Sequence, residues 1–69
     1  MPYVRIEVTD EGVSDRAKAE VIAGVTELLQ RVLGKDPATT FVVIDEVPLG
    51  NWGIGGLTVT EWRAAQRHA

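Results

Sequence analysis

The chain opens on a strict two-residue alternation. Pro2, Val4, Ile6 and Val8 fall on one face of residues 2–8, and Tyr3, Arg5 and Glu7 on the other. That is the period of a β-strand with one strongly apolar face. After a loop from Thr9 to Val13 the period changes. Val21, Val25, Leu28 and Val32 recur at spacings of four and three, Ile22, Leu29 and Leu33 widen the stripe, and Glu20, Glu27 and Arg31 lie off it. This predicts an amphipathic helix from Asp15 to Leu33. Ser14 is a good N-cap and Asp15 suits the helix dipole. The capping box is incomplete, because Ala17 stands where Glu or Gln would reach back. Gly34 can end the helix in a left-handed conformation, and Pro37 blocks its continuation. Such a helix is about 28 Å long at 1.5 Å per residue, and its broad apolar face needs a sheet or another helix to cover it.

A second strand is predicted from Thr39 to Val47. Its Phe41–Ile44 run is continuously apolar, which predicts burial on both faces. Pro48-Leu49-Gly50-Asn51 is turn chemistry. Trp52-Gly53-Ile54-Gly55-Gly56 predicts a hairpin turn or bulge that needs positive φ. Leu57-Thr58-Val59 reads as a short strand, and Thr60 as the cap of a final helix, Glu61–Arg67. The order is β-α-β plus a small C-terminal hairpin, an α+β unit. The long helical crossover lets the two main strands run parallel with a right-handed connection. Two strands and one helix do not close a core, so two copies are expected to share a four-stranded sheet with two helices on one face. The second face of that sheet would still need cover, which predicts assembly beyond a dimer.

Composition strengthens that expectation. The chain has 69 residues and reads as one domain, 1–69. A core of this size rarely supplies more than roughly 3–5 kcal/mol without extra support. Disulfides are excluded because the sequence has no cysteine, and His68 is the only histidine, so no metal-ligand cluster forms. Apolar residues nevertheless make up 45% of the chain, which leaves oligomerisation as the expected stabiliser. The net charge of −3 is interspersed, without a basic stripe, and argues against nucleic-acid binding. No apolar run reaches the roughly 18 residues of a membrane helix, and the N-terminal stretch lacks a charged-then-apolar signal pattern. The expectation is a soluble, cytoplasmic protein.

The candidate chemistry is sparse. The Gly53–Gly56 segment is no dinucleotide fingerprint, since it follows the second strand and not the first. No nucleophilic triad assembles, because cysteine is absent and Ser14 is explained by capping. Asp45 and Glu46 point to opposite faces of their strand, and Glu46 reads as a salt bridge or loop anchor. Trp52 has two readings, an interface aromatic or the lining of an apolar pocket. Pro2 stands apart. Removal of Met1 would leave its nitrogen as a secondary amine at the start of a strand. A free α-amine titrates near 7.7–8.0 on the reference scale, burial among apolar groups lowers it, and a base with its pKa near the working pH transfers protons efficiently. A nearby cation would lower the amine's pKa further, and the sequence offers Arg5, Arg16, Arg31, Arg63 and Arg67.

Taken together, Pro2 opening a strand, Ser14-Asp15 opening one long helix, a second strand reaching Glu46, and Trp52-Gly-Ile-Gly-Gly56 resemble the small tautomerases typified by 4-oxalocrotonate tautomerase, from Pro2 to about Arg63. The resemblance implies a β-α-β subunit, dimers sharing a four-stranded sheet, and a trimer of dimers. It implies keto–enol isomerisation of a 2-hydroxydienoate or other enol or α-keto acid, without cofactor or metal, by the N-terminal proline as general base. Carried over by position, Pro2 is the catalytic residue, Trp52 and Ile54 are apolar pocket residues, and Arg63 matches a peripheral arginine. Two positions depart. Val13 and Phe41 stand where the type enzyme has the arginines that meet the substrate carboxylate and polarise its carbonyl. Losing such a contact to a developing enolate costs several kcal/mol, by analogy with about 2.7–4 for an oxyanion donor. Weak or atypical activity toward 4-oxalocrotonate is therefore expected, with the enolate met by Arg5, Arg63 or a backbone N–H. Ile54 stands near the position of the family dehalogenases' water-activating glutamate, which argues against that chemistry. Two alternatives remain at this point: one subunit of a hetero-oligomeric tautomerase whose partner supplies the arginines, or a non-catalytic oligomeric scaffold.

Overall fold

The computed structural model describes residues 1–67; the lone His68 lies outside the described residues. Strand β1 (Tyr3–Thr9) leads to helix α1 (Asp15–Leu33), then to strand β2 (Phe41–Val47), a short hairpin of β3 (Gly53–Ile54) and β4 (Leu57–Thr58), and helix α2 (Val59–Arg67). β1 and β2 pair in parallel, from Tyr3 opposite Phe41 to Thr9 opposite Val47. The β-α-β reading and its α+β class are thus observed. So are the bounds of α1, and the reasons are local. Ser14 accepts the Ala17 N–H at 3.1 Å, and Gly34 at φ 67° lets its own N–H and that of Lys35 close back onto Gln30 and Leu29.

Strand β1 is shifted by one residue from the expected 2–8, and the short strand read as Leu57–Val59 ends at Thr58; two further boundaries differ for a local reason. β2 begins at Phe41, not Thr39, because Pro37–Thr39 forms a 3₁₀ turn whose Ala38 N–H is capped by Asp36 at 2.9 Å. α2 begins at Val59, and its cap is Thr58 rather than Thr60. The Thr58 hydroxyl accepts the Glu61 N–H at 3.3 Å while Glu61 accepts the Thr58 N–H at 3.1 Å, a reciprocal capping box. Those bonds hold the Glu61 carboxyl below its usual range, the Thr58 backbone N–H first and its hydroxyl second. The hairpin turn is Gly55-Gly56 at φ 61° and 83°, positive at both central positions as a type I′ turn requires.

Helix α1 lies on one face of the sheet, where Val4, Ile6, Val42 and Ile44 are half-buried. Lys18 reaches from the helix to Glu46 on β2, so Glu46 is the anchor the sequence suggested. The other face is bare: Tyr3 is 60% and Phe41 51% exposed. The apolar run of β2 is therefore covered on one side only in the single chain, and burial on both sides requires another chain. On α1, Leu28, Val32 and Leu33 also face solvent. Val59 is the one buried hydrophobic among the described residues. The radius of gyration is 15.9 Å, against about 11 Å for a compact chain of this length. The surface of 5133 Å² exceeds by roughly 900 Å² the area of a compact 7.5 kDa monomer. No helix among the described residues is long and apolar enough to cross a membrane.

Candidate functional site

The topology sorts the candidate residues into two groups. At one end of the sheet, Pro2 precedes β1 and its carbonyl accepts the Phe41 N–H at 3.0 Å. This bond pins the start of β1 against the start of β2, and Pro2, half-buried, sits beside the exposed aromatics Tyr3 and Phe41. In this chain its nitrogen is the amide to Met1. At the opposite end, β1 runs into the Asp10–Ser14 loop that carries Val13, and β2 runs into residues 48–67, which carry Trp52, Ile54 and Arg63. The seven residues of β1 separate the two groups by about 20 Å at roughly 3.3 Å per residue. One chain therefore brings Pro2 together with Phe41, and Trp52 with Ile54 and Arg63, but does not bring the two sets together. That separation follows from the parallel topology, since the strands share a direction and their outgoing loops share one edge.

The C-terminal unit is small and internally bonded. Trp52 is half-buried and its carbonyl accepts the Val59 N–H at 2.9 Å. Ile54 is exposed on β3. Arg63 forks onto Glu11, at 2.5 and 3.2 Å to the two carboxylate oxygens, and Thr9 also donates to Glu11. The Arg63 hydrogen bond first, then that of Thr9, hold the Glu11 carboxyl down at about 2. Arg5 is likewise engaged, at 2.7 Å to Asp45 and 3.1 Å to Glu7. Both arginines named above as partners for an enolate thus already hold carboxylates of their own chain. Sequence reasoning missed the Glu11–Arg63 pair, and nothing in its spacing of 52 residues could have signalled it.

A family model for the tautomerase enzymes matches residues 2–61. The chain belongs to the tautomerase family. It is 59% identical over 63 residues to the probable tautomerase K2 of Dickeya dadantii, covering 91% of this chain and 94% of that protein. Among solved structures it is similar to DmpI from Helicobacter pylori, at 37% identity and a TM-score of 0.85 over 91% of this chain and 97% of that one. It is also similar to a chain of the heterohexameric 4-oxalocrotonate tautomerase of Chloroflexus aurantiacus, at 30% identity and 0.79 over 88% and 97%. The expected family and its fold are both borne out.

Proposed function

We propose that this tautomerase-family chain is a keto–enol isomerase whose general base is the Pro2 nitrogen, freed by removal of Met1. The observation that carries the reading is the bond from the Phe41 N–H to the Pro2 carbonyl. It fixes the residue through its far side, so the nitrogen has a defined position at the end of the sheet. Neutral Pro2 takes the enol hydroxyl proton of a 2-hydroxydienoate or another α-keto acid enol and returns a proton to carbon, leaving the ketone. No cofactor takes part.

The active unit is an oligomer, because Trp52 and Ile54 can cover a proline only from another chain. A dimer sharing a four-stranded sheet is the first step and a hexamer the complete assembly. The uncovered sheet face and the excess surface support it. Trp52, Ile54, Phe41 and Val13 line the site, with Val13 and Phe41 in place of cations. With Arg5 and Arg63 both bound to carboxylates, a backbone N–H is the best-supported partner for the enolate, and a dicarboxylate such as 4-oxalocrotonate is a poor substrate. The test is ketonisation of phenylenolpyruvate and 2-hydroxymuconate by purified protein beside Pro2→Ala; equal rates for the two proteins refute the mechanism.

A second reading, favoured by similarity to a chain of a heterohexamer, makes this chain one half of a hetero-oligomer whose partner supplies the arginines missing at 13 and 41. Purification from the native host separates the two. A single species with full activity excludes the partner.

A further inference from the structure

Residues 48–67 hold the hairpin and α2. Among the described residues, the Arg63–Glu11 pair is the only hydrogen-bonded or ionic link between this unit and residues 1–47. The unit's other bonds are internal, Asn51 to Pro48, Trp52 to Leu49, Val59 to Trp52, and Thr58 with Glu61. On the receiving side the loop is itself fixed. The Asp10 N–H donates to the Val47 carbonyl at 2.8 Å, Thr9 donates to Glu11, and Gly12 turns at φ 81°. A planar guanidinium meeting both oxygens of one carboxylate fixes orientation as well as distance, which a lysine would not.

We propose that Glu11 and Arg63 are a positioning pair that sets the C-terminal unit, and with it Trp52 and Ile54, against the β1–α1 loop, and that Arg63 acts through Glu11 and not on substrate. The pair decides where the apolar wall of the site stands. Its two members are equivalent halves of one device, which a substrate-binding arginine with an incidental neighbour would not be. The proposal uses the tautomerase reading only for its kinetic readout.

The experiment compares Glu11→Gln, Arg63→Met, the double variant and the reversal Glu11→Arg/Arg63→Glu. Amide hydrogen exchange over residues 53–67 and ketonisation kinetics with phenylenolpyruvate are both measured. Each single variant is expected to raise exchange across the hairpin and α2 by roughly two- to fivefold, the scale of a half-exposed ion pair. The two singles should raise KM by similar factors, with kcat less affected. The double variant should be no worse than either single, and the reversal should recover part of the loss. A different pattern overturns the proposal: Arg63→Met impaired in KM while Glu11→Gln is unchanged or improved makes Arg63 a substrate cation. Unchanged exchange in both singles also overturns it. Should no chain show ketonisation activity, the tautomerase reading fails and the exchange data alone still decide the pair.

Discussion

Leu28 gives the sharpest test of the claim that the chain is built for assembly. It lies on the apolar stripe of α1 yet remains 47% exposed in the single chain. Full burial of a leucine side chain contributes about 1.5–3 kcal/mol, so roughly half of that is still to be gained in an assembly. An interface holding two copies would then lose about 1.5–3 kcal/mol when Leu28 is replaced by glutamate, a ten- to hundredfold weaker association before any charge penalty. Burying the new carboxylate without a partner adds to that loss. In an isolated subunit the same change is mild, because the site is half-solvated and leucine and glutamate have nearly equal helix propensity. Light scattering after size-exclusion chromatography across a dilution series reads the difference. Wild type should keep its oligomeric mass to lower concentration than Leu28→Glu, with a melting temperature that rises with concentration. Identical masses and melting temperatures for the two proteins at every concentration would refute the reasoning.

Three further outcomes follow from the bonds described. Thr58→Ala removes one half of the α2 capping box and should cost about 1 kcal/mol in denaturant unfolding, with loss of helix signal at the C-terminus. Acidification should loosen the C-terminal unit: Glu11 is held at about 2 from an ordinary value of 4.5, so its contribution is present above about pH 4.5 and is lost as pH falls toward 2. Exchange over residues 53–67 should rise in that window, and in Glu11→Gln the rise should be smaller, the remainder coming from protonation of Glu61 at the α2 cap. Phe41→Arg restores a cation beside the start of β2 and should raise kcat/KM for 2-hydroxymuconate by up to about 10²-fold, by analogy with a single oxyanion donor; steady-state kinetics with a monocarboxylate enol as control check it.

Much of the fold was legible because the signals were local. Ser14, the 21-25-28-32 stripe and Gly34 place α1 within its observed bounds, and alternation in residues 2–8 places β1. Where reading failed, a local bond competed with propensity. Asp36 caps a 3₁₀ turn through Thr39, so β-branched threonines that look like strand are not. Thr58 and Glu61 form the Thr-x-x-Glu box two residues ahead of the expected start, a signature present in the sequence. The site was half legible. Residue types and their family positions were readable, and the parallel crossover already implies that Pro2 and Trp52 lie at opposite ends. The occupancy of Arg5 and Arg63 was not, since each binds a carboxylate across the fold whose proximity only the tertiary structure sets.

Everything chemical proposed for this chain rests on Pro2 acting as the base once its nitrogen is free. That role is tested most directly by measuring intact mass and ketonisation rate on the same sample, for wild type and for Pro2→Ala. The expected result is a mass lacking Met1 and a kcat/KM for phenylenolpyruvate about 10²–10⁴-fold above that of the variant, the span of a positioned general base. Full activity in protein that retains Met1, or equal rates in the two proteins, would contradict it.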